Sequence, residues 1–217
     1  MVSEATLRKQ LCKVSRDLDA KGLVYGDKEL AHGQVSARIP NTERMLIKPT
    51  RTDSTKVKPS EWVLVDLKDG RVIKGGNPST ETDVHRAIYN ARADVGAIVH
   101  AHSKFAVVVS TANRDIVPWS DESLMLRGVR VVPRVDYDRE RQAKLVVDGL
   151  GPEGRCVIIR HHGTMSVGAD LEDAAMYCVE CERAAEIMYY AMLLDSSEPL
   201  TRDEATRIFG KPPLVDY

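Results

Sequence analysis

Between Ser3 and Lys21 the apolar residues Leu7, Leu11, Val14 and Leu18 recur every three or four positions, with Ser3 placed as an N-cap and Gly22 as a stop. That spacing predicts one amphipathic helix. From Leu23 to Ile73 the period shortens to two. The runs Gln34-Val35-Ser36-Ala37-Arg38-Ile39, Arg44 to Ile47, Val63-Leu64-Val65 and Arg71-Val72-Ile73 are broken by Pro40-Asn41, Pro49 and Lys68-Asp69-Gly70. Alternation bounded by turn residues predicts strands joined by hairpins, hence an antiparallel region. A helix is expected from Ser79 or Thr80 to about Arg92, with Thr80 and Asp83 at capping-box spacing. Val95 to Val99 reads as a strand and Lys104 to Thr111 as a helix. Val129 to Val132 and Cys156 to Ile159 read as buried strands on either side of a helix from Arg139 to Leu150. The longest helix is expected from Leu171 to about Leu194, and a short one from Thr201 to Phe209. Lys211-Pro212-Pro213 then forces an extended tail ending at Tyr217. Without repeats or linkers, residues 1–217 read as a single α/β domain with a tail from about 211. The expected architecture is three layers, α/β/α, around a central, mostly antiparallel sheet.

Composition narrows the function classes. The 217 residues carry 31 Lys+Arg against 32 Asp+Glu, a net charge of -1, which gives no basic excess for nucleic acid or an anionic membrane. With 43% hydrophobic and 29% charged residues, wholesale disorder is excluded. No apolar run approaches the ~18 residues of a membrane span, and Met1-Val2-Ser3-Glu4 opens no signal peptide, so a cytoplasmic location is expected. The cysteines Cys12, Cys156, Cys178 and Cys181 make no disulfide framework. Cys178-x-x-Cys181 reads as two small core residues on one helix, because a zinc site would need a second pair.

The histidines carry the chemistry. Four of the six fall in two tight groups, each at the end of a predicted strand: His100-Ala101-His102, and His161-His162 followed by Gly163. A spacing of two on a strand sends both imidazoles to one face, roughly 6–7 Å apart, within reach of one metal ion. Only one of the adjacent pair can face the same way, and the glycine lets the backbone turn sharply there. Three protein ligands with an open position suit a catalytic metal. The bland alternative is a set of half-exposed polar strand ends. Glu81 falls in the first turn of the helix after Pro78, where the dipole favours a carboxylate, and its bland alternative is a solvated capping position.

Pro78-Ser79-Thr80-Glu81, Asp94-Val95-Gly96-Ala97-Ile98-Val99-His100-Ala101-His102-Ser103 and His161-His162-Gly163 together resemble the class II aldolase/adducin family, from about Leu7 to Ala191. The family includes fuculose-phosphate aldolase and ribulose-phosphate 4-epimerase. The resemblance implies that His100, His102 and His162 bind a divalent metal, zinc first, with manganese, cobalt or iron as alternatives. It implies that Glu81 is the catalytic acid/base and a ligand of the resting metal. Glutamate where the epimerases tend to have aspartate leans towards bond cleavage. It further implies a small-molecule substrate, a homotetramer with sites at subunit interfaces, and a lyase that stabilises an enediolate or carbanion on the metal.

The substrate loops depart from the family pattern. Where sugar-phosphate members have Ser-Gly-Asn, this chain reads Ala31-His32-Gly33-Gln34, and where they have Thr-Gly it reads Thr50-Arg51. Ser79 and Thr80 keep both hydroxyls of the third element. Gly33, Gln34, His32, Thr50, Arg51, Ser79 and Thr80 are therefore the candidate substrate contacts. Arg51 and Lys48 would supply charge in place of backbone N–H groups, or else lie in a solvated loop. A guanidinium also suits a carboxylate bidentately, which leaves open a decarboxylase of a hydroxylated aromatic acid. Epimerase chemistry and a non-catalytic, adducin-like module are further alternatives. Glu122 falls where aldolases place a proton-donating tyrosine, with Tyr137 and Tyr217 as other candidates. Arg127, Arg130, Arg134, Arg139 and Arg141 read as surface or subunit contact, and His85 as either an orienting partner of Glu81 or a partly buried helix residue.

Overall fold

The structure is a computed structural model in which residues 2–24, 32–194 and 197–217 are described. Ala31, in the first substrate turn, lies outside the described residues. In chain order the elements are α1 (Glu4–Ala20), β1 (Gln34–Arg38), β2 (Arg44–Ile47), β3 (Val63–Asp66), β4 (Val72–Lys74), α2 (Thr82–Ala91) and β5 (Ala97–Ala101). They continue with α3 (Lys104–Thr111), β6 (Arg130–Val132), α4 (Arg139–Leu150), β7 (Cys156–Ile159), β8 (Gly163–Gly168), α5 (Leu171–Ala191) and α6 (Arg202–Phe209). Short 3₁₀ segments span Pro59–Glu61 and Glu122–Leu126.

One eight-stranded sheet runs in the order β4-β3-β2-β1-β5-β8-β7-β6. Every neighbouring pair is antiparallel except β6–β7. The expected mostly antiparallel sheet between helices is therefore what forms, with one parallel pair at its edge. Alternation along the strands divides the core. Met45, Ile47, Ile98, Val157 and Met165 face α2 and α4 with Ile88, Tyr89 and Val146. Leu46, Val35, Ala97 and Val99 face α1 and α5 with Leu11, Leu18 and Cys178. Cys156, Ile158 and Cys181 meet α3 residues Ala106 and Val109. The stripe Leu7, Leu11, Val14 and Leu18 is buried, as its spacing predicts, and so are Cys178 and Cys181. Leu171, Ala174 and Cys178 on α5 pack one turn apart into the same layer.

Three expectations change. The helix after Pro78 begins at Thr82, with Glu81 as its N-cap and no side-chain cap bond. Thr80 and Asp83 form no capping box. Instead Ser79 Oγ accepts from the Glu81 N–H at 3.1 Å and the Ser79 carbonyl accepts from the Thr82 hydroxyl at 2.6 Å, which ties up the serine one residue earlier. β8 follows directly from Gly163, which the sequence marks only as a turn. Thr164-Met165-Ser166-Val167 does alternate, but over only four residues between two glycines, and in the structure both faces of the strand are buried. α5 stops at Ala191, and Leu193 and Leu194 beyond it are exposed.

The proline-forced tail is extended and anchored. The Leu214 N–H donates to the Arg127 carbonyl at 2.6 Å, and the Val215 side chain is buried against Gly128, where a Cβ would come within 2.4 Å of it.

Candidate active site

β5 and β8 are neighbours, with His100 opposite Met165 and Ala101 opposite Thr164. β8 returns directly from β7, so the turn bearing His161 and His162 sits at the end of β5 where His100 and His102 emerge. The two strand ends are adjacent inside the sheet. The left-handed residue of the turn is His161, at φ 59°, rather than Gly163. Gly163 is needed for a different reason: a Cβ there would lie 2.2 Å from the Ala101 carbonyl oxygen, so only glycine lets the two backbones approach. His161 is exposed. Ring centroids are 5.0 Å apart for His100–His102, 4.9 Å for His100–His162 and 4.9 Å for His102–His162.

One ligating atom from each of the three lies within 4.8 Å of the others. The His100 Nδ1–H donates to the Thr164 carbonyl at 2.9 Å, which leaves Nε2 unprotonated. That Nε2 is buried with no hydrogen-bond partner. A backbone-anchored imidazole with an orphaned lone pair is the usual condition of a metal-ligating histidine. Burial, reinforced by the neighbouring imidazoles, lowers both His100 and His102 to about 3, so both are neutral donors at pH 7. This donor set fits a divalent transition metal.

His102 follows the last residue of β5, and its N–H donates to the Leu23 carbonyl at 3.1 Å. Glu182 on α5 then caps α3, accepting from the N–H groups of Phe105 at 2.9 Å and Ala106 at 3.0 Å. No local signal in the sequence marks that remote cap. The His32 ring lies 4.7 Å from that of His102, which brings the first substrate turn to the histidines. Gly33, at φ 82°, backs onto the His100 carbonyl, where a Cβ would sit at 3.0 Å. Gln34 pairs directly with His100 across β1–β5.

Glu81 is half-buried at the start of α2. Burial raises its carboxyl above the usual carboxylate range, while His162 and Arg139 offset part of that cost. Burial likewise lowers His162, against the opposing pull of Glu81. Glu81 and His162 share a cavity of about 380 Å³ whose walls include Arg134, Tyr137 and Arg139. Arg134 and Arg139 are exposed, as read from the sequence, and they also border this cavity. Arg127 and Arg130 instead hold the tail, through the carbonyls of Pro212 and Leu214. A larger groove of about 820 Å³ between α1 and α5 includes none of the histidines.

The second loop is tied to the third by backbone. Pro49 bridges Pro78, Thr50 N–H donates to the Asn77 carbonyl at 3.0 Å, and Ser79 N–H donates to the Lys48 carbonyl at 3.1 Å. Thr50, Arg51, Ser79 and Thr80 therefore stand together at the start of α2. Ser79 is buried, whereas Arg51 and Thr80 are exposed. Arg51 occupies the left-handed region at φ 51°, the conformation a glycine would take at that turn. Lys48 is not in a solvated loop: it is fully buried, and its Nζ donates to the Thr52 carbonyl at 3.0 Å and Ser54 Oγ at 3.1 Å. Burial lowers it to about 8, with Asp53 opposing.

Of the proton-donor candidates, Tyr137 is fully exposed at the rim of the cavity. Tyr217 donates to the Leu200 carbonyl at 2.9 Å on the tail, and Glu122 is exposed on its 3₁₀ segment. His85 is fully buried, and its Nδ1 meets Ser36 Oγ at 2.7 Å rather than Glu81. Ser36 and its second partner Tyr89, at 2.8 Å, escaped the sequence reading. The signal was present in two polar residues, Gln34 and Ser36, on one face of a core strand, and in Tyr89 one turn after His85.

A three-layer sheet fold with a three-histidine corner beside a helix-start carboxylate defines the class of protein. Residues 9–189 match the family described as Class II Aldolase and Adducin N-terminal domain, and the chain belongs to it. It is 29% identical to L-fuculose phosphate aldolase of Methanocaldococcus jannaschii over 86% of this chain and 98% of that one. It is 28% identical to human gamma-adducin over 78% of this chain, which spans only 25% of that protein. The crystal structure of L-fuculose-1-phosphate aldolase from Thermus thermophilus superposes with a TM-score of 0.75 at 27% identity, covering 88% of this chain and 97% of that one.

Proposed function

We infer that the chain is a metal-dependent carbon–carbon lyase of aldolase type, acting on a phosphorylated or hydroxylated sugar-like substrate. One observation carries the reading: three imidazole donors converge within 4.8 Å beside a half-buried carboxylate. His100, His102 and His162 would hold the cation, zinc in the first instance, with Glu81 as a further ligand at rest. When bound, such a cation stabilises the negative charge that develops on an enediolate or carbanion, a contribution of several kcal/mol.

The chain's own groups do the rest. Glu81, raised by burial, accepts a proton and returns it as general base and acid. Ser79 and Thr80 offer hydroxyls, and Thr50, Arg51, Gly33, Gln34 and His32 complete the substrate contacts. Lys48 supports these loops from below with its buried charge. Tyr137, Tyr217 and Glu122 are the candidates for the proton donor to the departing fragment, and Tyr137, exposed at the cavity rim, is the one that borders Glu81 and His162. The enzyme works in the cytoplasm as a homotetramer whose sites are completed at subunit interfaces. The two aldolases among the relatives described above favour aldol cleavage over the carboxy-lyase alternative.

The test is metal analysis of protein purified without added metal, then chelation, with aldehyde release measured from a panel of phosphorylated ketoses. Hydroxybenzoates and dihydroxyphthalates monitored for carbon dioxide serve as the control. Activity that appears only with metal and ketose phosphate supports the reading. Full activity after complete metal removal, or carbon dioxide release alone, rejects it.

A further inference from the structure

Three buried polar atoms in one corner of the fold have no hydrogen-bond partner among the described residues: His100 Nε2, His85 Nε2 and Gln34 Oε1. Their proximity follows from register. Gln34 is directly opposite His100 in the β1–β5 ladder, and Ser36, two residues along β1, shares that face. His85 descends from α2 onto Ser36, with Nδ1 and Oγ 2.7 Å apart, and Tyr89 Oη meets the same Oγ at 2.8 Å. His85, Ser36 and Tyr89 are at most 1% exposed. A buried donor or acceptor left unmade is costly, so two orphans beside the ligand corner call for a common partner.

Proton bookkeeping fixes the polarity of this chain. Burial keeps the Tyr89 phenol protonated, and Ser36 Oγ is its acceptor among the described residues. The serine's own hydrogen is then directed to His85 Nδ1, so the imidazole carries its hydrogen on Nε2. A ring in that tautomer, with Nδ1 engaged, cannot ligate a metal, which separates His85 from the three ligands. It can donate.

We propose that His85 Nε2–H and Gln34 Oε1 together grip one hydroxyl-type oxygen, of water or of substrate, beside the metal ligands, with Ser36 and Tyr89 locking the tautomer. The oxygen accepts from His85 and donates to Gln34, so each orphan gains one bond. His85 is thus a positioning residue, and the substrate half of this inference rests on the lyase reading.

Two substitutions at one position test it. A glutamine amide places its nitrogen near the Nε2 position, whereas an asparagine amide places its own near Nδ1. The probe is dihydroxyacetone phosphate, the three-carbon fragment left when a ketose 1-phosphate is cut between C3 and C4. With both variants zinc-loaded to the wild-type level, His85→Gln is expected to bind the probe within about threefold of wild type. His85→Asn is expected to bind it about tenfold more weakly, the equivalent of about 1.4 kcal/mol. The reverse order overturns the proposal, because His85 would then act only through Ser36. Should either variant fail to fold, Gln34→Leu is expected to weaken the probe by a similar factor, and an unchanged affinity there also overturns it.

Diffraction from zinc-loaded wild-type protein supplies a readout independent of turnover. An ordered oxygen within hydrogen-bond reach of both Nε2 and Oε1 supports the site, and an empty corner or a direct Nε2–Oε1 bond rejects it. With the probe present, a persisting water assigns the site to solvent and a replacing hydroxyl assigns it to substrate. Wild-type protein that neither holds zinc nor binds the probe would fail the lyase reading, while diffraction from the metal-free protein would still decide whether the oxygen is there.

Discussion

The histidine corner and the Lys48–Arg51 loop border the same site, yet different forces shape them. In the corner, the sheet ladder sets everything: β5 and β8 pair residue for residue, Thr164 anchors His100, and Gly163 lets the turn press against Ala101. In the loop, Lys48 is buried and bonded, but three residues later Arg51 is exposed in a left-handed conformation. A rigid ladder suits groups that must meet within a fraction of an ångström. An exposed turn suits residues that select among substrates, because exchanges there disturb little else. On the proposed reading, the chemistry sits on the sheet and the selectivity on the loops.

The sharpest break of this contrast is His100→Ala. Removing the backbone-anchored ligand is expected to weaken zinc binding by more than about 100-fold, beyond what loss of a supporting contact costs, and to abolish lyase activity. Metal content after dialysis measures it, and a fully loaded, active variant would show that the corner is not the metal centre. Next comes Glu81→Gln, expected to lower kcat by about 10²–10⁴ while metal content stays near wild type. An unchanged kcat would move the base elsewhere.

Lys48→Met probes the loop end through pH. The folded pKa of about 8 lies below the ordinary 10.5, so between those values the unfolded chain binds more protons and stability rises with pH. Denaturant melts should show wild type gaining on Lys48→Met from pH 8 to 10.5, by an amount on the order of 2–3 kcal/mol. A pH-independent difference would mean that the lysine titrates normally. The smallest effect is expected from Arg51→Gly. Relief of the left-handed backbone should stabilise by about 1 kcal/mol, while affinity for a phosphorylated ketose drops about three- to tenfold. Gained stability with no change in affinity would return Arg51 to the status of a solvated loop residue.

Much of this contrast was legible in the chain. Leu7, Leu11, Val14 and Leu18 announce their helix because a 3.6-residue period needs no knowledge of its neighbours, and the short alternating runs announce their strands for the same reason. His100 and His102 declare a common face by spacing alone. β8 escaped because its alternation, Thr164 to Val167, is only four residues long and starts directly from a glycine turn. The Thr80–Asp83 capping box failed because the Ser79 hydroxyl reached the Glu81 amide first. Arg134 and Arg139 are the exposed charges they read as, but nothing local says that they share a cavity with Glu81.

The sequence by itself determined the layers, the strand ends that carry histidine, and the residues available for acid–base work, since each depends on side chains within one or two turns of one another. Tertiary structure alone decided that His162 joins His100 and His102, that Lys48 is sealed inside, and that His85 turns to Ser36 rather than to Glu81. Those outcomes depend on strand register and on backbone bonds between segments dozens of residues apart. Such contacts form only when the whole sheet closes, and no local period encodes them.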